Sequence, residues 1–190
     1  MPLELLGVLN SMNEALALTA LTTVLPRTHL VGGQTKLTET LLFKTAIENG
    51  ELVNISNFTS EKYQGATVLP AEECFHTEPV VVLDFKSLYP SCIQAWNLSV
   101  DTFIVNWKEQ KSLFTDDEIE TIDCGNGNVY HFLKRDVLHG IVPKLLTGLL
   151  DERVRVKKLM KKEKAKMRKL ILDCRQLSVK IIANSSYGID

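Results

Sequence analysis

The sequence predicts an α+β fold, with strands in the middle of the chain and helices on both sides. Apolar residues recur at helical spacing near both ends, whereas β-branched residues cluster between them. Near the end, two helical patterns flank the polar run KKEKAKMRK (161–169). This arrangement predicts an antiparallel helical hairpin that protrudes from the body of the protein.

The first third of the chain is predicted to be helical. Apolar spacing predicts an amphipathic helix over residues 3–21, followed by a break at Pro26 and a loop through VGGQ (31–34). A second helix is predicted in TKLTETLLFKTAIENG, with Thr38 as its N-cap and Asn49-Gly50 at its end.

The middle of the chain carries the predicted strands. YQGATVL (63–69) and PVVVLDF (79–85) are rich in β-branched residues, and the second is expected to be short and buried. A helix is expected to begin after Pro90, and CGNGN (124–128) predicts a hairpin turn because Gly and Asn tolerate positive φ.

The predicted terminal hairpin consists of helices over about 143–160 and 168–187. Residues 151–190 hold 12 of the 22 Lys and Arg and only 5 of the 23 Asp and Glu, a net charge of +7 against −8 for the first 150 residues. A basic arm on an acidic body favours contact with a polyanion, although a solvated helix face would also explain the charge.

Composition excludes several classes of protein. The four cysteines show no C-x-x-C spacing, which argues for reduced thiols inside a cell and against a disulfide framework or zinc site. No apolar run approaches the roughly 20 residues needed to span a bilayer. The amino terminus lacks a basic leader, so a secretory signal peptide is not expected.

Asp84 is the first candidate for chemistry. A strand that ends in a carboxylate can present oxygen to a hard cation such as Mg²⁺ together with substrate phosphates. Tyr89 precedes Pro90 and is therefore expected outside the helical region, with the backbone N–H groups of 87–89 available to an anion. The residues alone leave open a second interpretation, in which Asp84 only caps a turn.

Two sets of polar residues follow helical spacing in the predicted hairpin. Arg153 and Lys157 lie at i, i+4, whereas Lys180, Asn184 and Tyr187 form a stripe at i, i+4, i+7. A guanidinium, an ammonium group and an amide can hold phosphate oxygens, and a tyrosine ring can pack on a base or sugar. Ordinary exposed or half-buried helices would also show such patterns.

Together these segments resemble the B family of DNA-directed DNA polymerases, above all the eukaryotic delta type and the enzymes of large DNA viruses. DFKSLYPS (84–91) resembles the first palm motif, D-x-x-S-L-Y-P-S, and KIIANSSYG (180–188) resembles the fingers motif, K-x-x-x-N-S-x-Y-G. YQGATV (63–68) is similar to a segment that lies against the template. LLDERVRVKKLM (149–160) and LDCRQLSVK (172–180) are similar to the fingers helices.

The resemblance implies a fragment of a template-directed polymerase that adds deoxynucleotides to a primer 3′ end by two-metal phosphoryl transfer. Residues 1–58 would be the end of an exonuclease domain and a helical lead into the palm, 59–142 the first part of a palm-type sheet, and 143–190 the helical fingers hairpin. The family's second aspartate motif is expected beyond residue 190, so the fragment is expected to be inactive in isolation. The alternative is a non-catalytic nucleic-acid-binding module that uses the basic hairpin.

The resemblance also implies roles for the residues of the palm motif. The Asp84 carboxylate and the Phe85 carbonyl would hold Mg²⁺, with Asp84 the catalytic residue. The backbone amides of Ser87, Leu88 and Tyr89 would bind the incoming triphosphate. The Tyr89 ring would lie under the sugar and exclude a 2′-hydroxyl group.

Further roles are implied for the hairpin and the template segment. Tyr187 and Gly188 would line the nascent base pair, whereas Tyr63 and Gly65 would touch the template backbone. The residues that would grip the triphosphate are Arg153, Lys157, Lys180 and Asn184. The implied partners are primer–template DNA, deoxynucleoside triphosphates and a processivity factor, and the implied compartment is the nucleus, or the host nucleus for a viral enzyme.

Overall fold

The computed structural model describes residues 4, 7–8, 10–51, 68–71, 74–75, 77–85, 87–125 and 127–187. Six helices and a two-stranded antiparallel sheet follow one another in the described part of the chain, which confirms the predicted α+β fold class. Two short 3₁₀ turns, Lys111–Leu113 and Asp116–Glu118, precede the sheet. The helices and strands in chain order are α1 Ser11–Thr22, α2 Pro26–Glu48, α3 Leu88–Ala95, α4 Trp107–Gln110, β1 Ile119–Asp123, β2 Val129–Leu133, α5 Ile141–Lys162 and α6 Lys166–Ser185.

The two amino-terminal helices differ in detail from the prediction. Residues 4, 7 and 8 are helical, but Asn10 has a φ of 56° and interrupts the expected single helix before α1. The expected loop at 31–34 is a kink at Gly33 (φ 69°, ψ −175°) inside α2. Thr38 is not a cap: it is buried in the helix, and its hydroxyl donates to the carbonyl oxygen of Gln34 at 3.2 Å. The predicted end is confirmed, because α2 stops at Glu48 and Gly50 has a φ of 72°.

The core lies where α1, α2, α5 and α6 pack together, with Ile93 of α3 at its edge. Because these side chains recur at helical spacing, each helix turns one apolar face inward. The buried members of this core are Leu18, Leu37, Leu41, Leu145, Leu146, Leu149, Val179, Ile182 and Ala183.

The β-hairpin forms where the turn chemistry predicts it. Asp123 pairs with Val129, and between them Cys124 N–H donates to the Asn128 carbonyl at 3.0 Å. Gly125 and Gly127 have φ values of 71° and 87°, which a side chain would disfavour. The predicted hairpin is confirmed.

The predicted buried strand over 79–85 is wrong for the structure described. This segment has no assigned secondary structure, and the exposed fractions of Val80 and Leu83 are 66% and 89%. A strand needs a neighbour to satisfy its backbone hydrogen bonds, and none of the described strands pairs with this segment. The other expected strand, YQGATVL (63–69), lies mainly outside the described residues, and its last residues, Val68 and Leu69, are not in a strand.

The helical hairpin of α5 and α6 is confirmed, with only residues 163–165 between the helices. Glu163 closes this connection, because its carboxylate accepts the backbone N–H groups of Lys164 and Ala165, both at 2.9 Å. On the shaft of the hairpin, the part of both helices away from this connection, Glu152 on α5 forms an ion pair with Arg175 on α6 at 2.8 Å.

In the described part of the chain, no helix combines the length and the apolar character that crossing a bilayer requires.

The base of the hairpin is tied to the body through the buried side chain of Asn97. Its Nδ2 donates to the carbonyl oxygens of Leu133 and Leu138, both at 2.7 Å, and its Oδ1 accepts the Gly140 N–H at 3.0 Å. One amide therefore links the end of α3, strand β2 and the residue before α5.

Two further side chains cap α5 from a distance in sequence. Both carboxylate oxygens of Asp101 lie 3.2 Å from the Ile141 N–H, and Ser99 Oγ accepts the Val142 N–H at 3.2 Å. The hydroxyl of Ser99 also donates to Asp101. These contacts satisfy N–H groups that a helix N-terminus leaves without intrahelical partners, and a carboxylate is favoured there by the helix dipole.

Candidate nucleotide site

Asp84 and Phe85 end the exposed segment that precedes α3. The Asp84 side chain is exposed and makes no hydrogen bond or ion pair with another residue that the structure describes. A carboxylate and a neighbouring backbone carbonyl are oxygen donors, which suit a hard cation such as Mg²⁺. These residues fit such an ion chemically but supply only one side-chain ligand, and no group of three His, Cys, Asp or Glu residues gathers in the described part.

Ser87 marks the start of α3 and turns the chain sharply, with a φ of 55° in the left-handed region. The amides of Leu88 and Tyr89 therefore lie in the first turn of the helix, where N–H groups have no intrahelical partner and face anions favourably. The expectation that Tyr89 avoids helical geometry is wrong. Pro90 is tolerated in the first turn because its missing N–H is not needed there, and Tyr89 precedes it within the helix.

The rings of Tyr89 and Tyr187 stack on each other, with centroids 4.8 Å apart and planes inclined by 16°. Tyr89 belongs to α3, whereas Tyr187 follows the end of α6, so this contact joins the two predicted motifs across about 100 residues of chain. Burial raises the pKa of the Tyr187 hydroxyl above its ordinary value, and the adjacent Tyr89 adds to the shift. The pair forms one aromatic surface between α3 and the base of the hairpin.

The predicted polar stripe runs along the exposed side of α6 and ends at Tyr187, just beyond the helix. Lys180, Asn184 and Tyr187 are exposed, whereas the adjacent Ile182 and Ala183 are 0% and 3% exposed and pack into the core. The local fold thus separates the two sets of residues as their spacing indicates.

Arg153 on α5 reaches towards the same stripe through a residue that the sequence analysis missed. Its Nε donates to Gln176 Oε1 at 3.4 Å, and Gln176 precedes Lys180 by one helical turn. The i, i+4, i+8 spacing of Gln176, Lys180 and Asn184 in the sequence could have placed Gln176 on the same face of the helix. Lys157 lies one turn beyond Arg153 and is exposed.

Ser185 is a second residue that the sequence analysis missed, and it fixes the stripe against the body. Its hydroxyl lies 3.0 Å from that of Thr38 on α2 and 3.0 Å from the Ile181 carbonyl, to which it donates. This contact explains why a small hydroxyl residue stands beside Asn184 and why Thr38 is buried rather than at a helix end.

The structure therefore stacks Tyr89 on Tyr187, and it places Arg153 against Gln176, one helical turn from Lys180. Asn184 lies one further turn along the exposed side of α6. No contact among the described residues links the Asp84 carboxylate to any of these residues. The remaining sequence-predicted site residues lie outside the described residues, and they are Tyr63, Gly65 and Gly188.

Comparison with known proteins identifies the family. The sequence pattern of DNA polymerase family B matches residues 24–190. The chain belongs to DNA polymerase family B. A DNA polymerase delta catalytic subunit of Plasmodium falciparum is 45% identical to this chain over 130 residues. The aligned residues cover 68% of this chain and 12% of that protein.

Other relatives of this family B chain cover more of its length. A DNA polymerase delta catalytic subunit of Drosophila melanogaster is 32% identical over 99% of the chain and 17% of that protein. A DNA polymerase catalytic subunit of Elephantid herpesvirus 1 is 34% identical over 92% of the chain and 17% of that protein. The chain thus spans less than a fifth of the length of these relatives. The predicted resemblance to delta-type and viral enzymes is confirmed.

A solved structure supports the same assignment. The family B DNA polymerase from the archaeon Pyrobaculum calidifontis superposes with a TM-score of 0.73 and 26% identity, covering 98% of this chain and 23% of that one. The similarity therefore extends over the helical hairpin and the body together.

Proposed function

We propose that the chain forms the nucleotide-binding part of a template-directed DNA polymerase that extends a primer 3′ end. The observation that carries this proposal is the Tyr89–Tyr187 stack, because it unites the palm-like and fingers-like motifs at one surface. Phosphoryl transfer requires positioning and charge neutralisation more than covalent help from the protein. A helix N-terminus beside a cationic stripe supplies both.

Mg²⁺ would be held by the Asp84 carboxylate and the Phe85 carbonyl, where it would neutralise triphosphate charge and activate the primer 3′-hydroxyl. Asp84 is thus the catalytic carboxylate of the proposal. Two metal ions about 3.5–4 Å apart need more than one carboxylate. We expect a further one from elsewhere in the full-length protein, and we expect that the 190-residue chain alone does not add nucleotides.

The incoming triphosphate lies between α3 and the hairpin. The amides of Ser87, Leu88 and Tyr89 face its phosphates at the start of α3, a favourable place for anions. The opposing side chains act from the hairpin when it closes, completing the site only around a paired nucleotide. These side chains are Arg153, Lys157, Lys180 and Asn184.

The aromatic pair selects the sugar and supports the base pair. The Tyr89 ring lies under the sugar and leaves no room for a 2′-hydroxyl group, while Tyr187 packs against it and, with Gly188, borders the nascent base pair. Tyr63 and Gly65 contact the template backbone. Base pairing reads the sequence, so the protein contributes phosphate and shape contacts.

We assign the chain a place in a larger polymerase by analogy with its relatives. Residues 1–58 belong to the end of an exonuclease domain and the lead into the palm, 59–142 to the palm and 143–190 to the fingers. The partners of the full-length enzyme are primer–template DNA, deoxynucleoside triphosphates and a processivity factor. Relatives named as delta and herpesvirus catalytic subunits support a nuclear site of action.

Primer extension by the full-length protein tests the proposal. Asp84→Asn removes the metal-binding charge and is expected to lower the rate roughly a thousandfold, the equivalent of several kcal/mol of transition-state stabilisation. The matched control is Asp117→Asn, which removes an exposed carboxylate from a 3₁₀ turn and is expected to have no effect. Undiminished extension by Asp84→Asn would refute the catalytic role. A protein that binds primer–template but extends nothing would instead favour the non-catalytic binding module.

A further inference from the structure

The tip of the helical hairpin, defined here as residues 157–169, carries an excess of positive charge. It contains eight Lys and Arg residues and one carboxylate, Glu163. Glu163 accepts two backbone N–H groups within the connection. None of the eight basic side chains forms an ion pair with a carboxylate of the described residues, and all eight are exposed.

The shaft of the hairpin shows the opposite arrangement. There Arg155 and Arg175 share the carboxylate of Glu152, with nitrogen–oxygen distances of 2.6 and 2.8 Å. Like charges at i, i+4 destabilise a helix slightly, so an uncompensated cluster at the tip costs stability. Backbone N–H donors, helped by the charge of Arg168, lower the pKa of Glu163, and the charge of the other basic residues of the tip is available to a ligand.

The tip also contains a cleft of about 400 Å³ between the end of α5 and the start of α6. Its lining combines an apolar floor, Met160 and Leu170, with two cations, Lys166 and Lys169, and the carboxylate of Asp173. Residues 166, 169, 170 and 173 follow i, i+3, i+4, i+7 spacing and share one face of α6. The cleft is open to solvent, so a ligand would lie on its floor with one side exposed.

The cleft lies far along the hairpin from the α6 residues that are proposed to hold the triphosphate, although Lys157, which belongs to that proposed site, lies at the edge of the tip. Lys166 precedes Lys180 by 14 residues and Asn184 by 18 on the same helix. At about 1.5 Å per residue these separations are about 21 and 27 Å along the helix axis. One nucleotide held by Asn184 and Tyr187 therefore leaves the cleft free.

We propose that the cleft binds one nucleotide of a single-stranded nucleic acid. The base and sugar lie on Met160 and Leu170, and the phosphates contact Lys166 and Lys169. The other cations of the tip, apart from Lys157, follow the backbone of the strand. A single strand fits better than a duplex, because only unpaired bases can turn a face to an apolar floor. Asp173 repels phosphate and so directs it to the lysine end. The proposal goes beyond the proposed function and does not depend on catalysis.

The charge is tested by the affinity of the 190-residue chain for a fluorescent dT₁₂ oligonucleotide at several salt concentrations. Lys166→Gln combined with Lys169→Gln is expected to lower the slope of log K against log [salt] by about 1.4 and the affinity about 25-fold at 0.1 M salt. The control is Lys108→Gln combined with Lys111→Gln, two exposed lysines on the body with the same change in net charge. Equal effects of the two double variants would refute a site at the tip.

The apolar floor is tested by Leu170→Gln. It is expected to lower dT₁₂ affinity about fivefold, the effect of removing roughly 40 Å² of apolar contact, and to leave binding of inorganic polyphosphate unchanged. Leu177→Gln is the control, because Leu177 lies two turns along the same face and is 39% exposed, against 41% for Leu170. If Leu170→Gln leaves dT₁₂ affinity unchanged, or weakens polyphosphate binding equally, no nucleotide occupies the cleft.

A measurement on the unaltered chain is independent of any folding defect in the variants. Ultraviolet cross-linking of a 5-bromodeoxyuridine oligonucleotide is expected to label peptides that contain residues 160–173. Labels confined to other segments would overturn the proposal. The proposal would also be overturned if an acidic peptide such as poly-Glu displaced the oligonucleotide and this displacement required the Leu170 side chain. None of these measurements requires nucleotide addition. Loss of primer extension and absence of oligonucleotide binding at the cleft are therefore separate outcomes.

Discussion

Gly140 shows how a single residue fixes the connection between the body and the hairpin. A Cβ atom built on it would lie 2.6 Å from Cβ of Ser99 and 3.1 Å from Cγ2 of Thr102. Its N–H is held by the buried Asn97 side chain. Gly140 is therefore required because the start of α5 packs closely against the loop after α3, and not because of an unusual φ value.

We predict that Gly140→Ala lowers the free energy of unfolding by about 1–3 kcal/mol, because the methyl group must displace Ser99 or the start of α5. Gly148→Ala is the matched control: Gly148 lies inside α5 with nothing within 4 Å of the added Cβ. That change should stabilise the protein by about 0.5–1 kcal/mol through helix propensity. Urea unfolding of both variants measures the difference, and equal changes would contradict the packing argument.

Sequence reasoning succeeded at residues whose neighbours in space are also neighbours on a helix. The exposed stripe of Lys180, Asn184 and Tyr187 follows from helical spacing alone, and the structure confirms its exposure. It failed where the decisive contact is distant in sequence. Thr38 was expected to cap a helix, but its partner is Ser185 on another helix, 147 residues away.

At the scale of elements, the helical hairpin is held by its apolar seam and by one carboxylate shared between its helices. Glu152 accepts from Arg155 on its own helix and from Arg175 on α6. The hydrogen bond from Arg155, aided by the nearby Arg175, lowers the pKa of Glu152 although partial burial opposes this. The charged form of Glu152 is thus favoured by folding.

We predict that Glu152→Gln destabilises the protein by about 1 kcal/mol at about pH 7, a modest value because both arginines are half exposed. A carboxyl group whose pKa is lowered by folding stabilises above its unfolded pKa, and the effect disappears as the pH falls through the folded pKa. The two proteins should therefore converge as the pH falls below the ordinary pKa of 4.5.

Urea unfolding across this pH range measures the convergence, with Asp151→Asn as the control. Asp151 is adjacent on the same helix, is exposed and has no ion pair with a described residue. A difference between Glu152→Gln and the unaltered protein that persists at low pH would show that the carboxylate charge is not its cause.

At the scale of the whole molecule, the order of elements was predictable but their pairing was not. The α+β class, the β-hairpin and the helical hairpin follow from local turn residues and helical periodicity. The β-branched segment over 79–85 carries the same local signal as a buried strand, yet four consecutive side chains, Val80 to Leu83, are between 66% and 89% exposed. Local sequence encodes strand propensity, whereas burial requires a partner surface from elsewhere.

We predict that Val81→Thr combined with Val82→Thr changes the free energy of unfolding of the 190-residue chain by less than about 0.5 kcal/mol, because these side chains are 78% and 88% exposed. The same variant should associate less at high concentration, since a contiguous exposed apolar segment promotes association. Leu146→Ala, at a core position with 0% exposure, should instead cost about 2–5 kcal/mol. Urea unfolding and light scattering over a concentration series measure both effects. A loss above about 1 kcal/mol for the double valine variant would mean that the segment is buried in solution, as the sequence predicts.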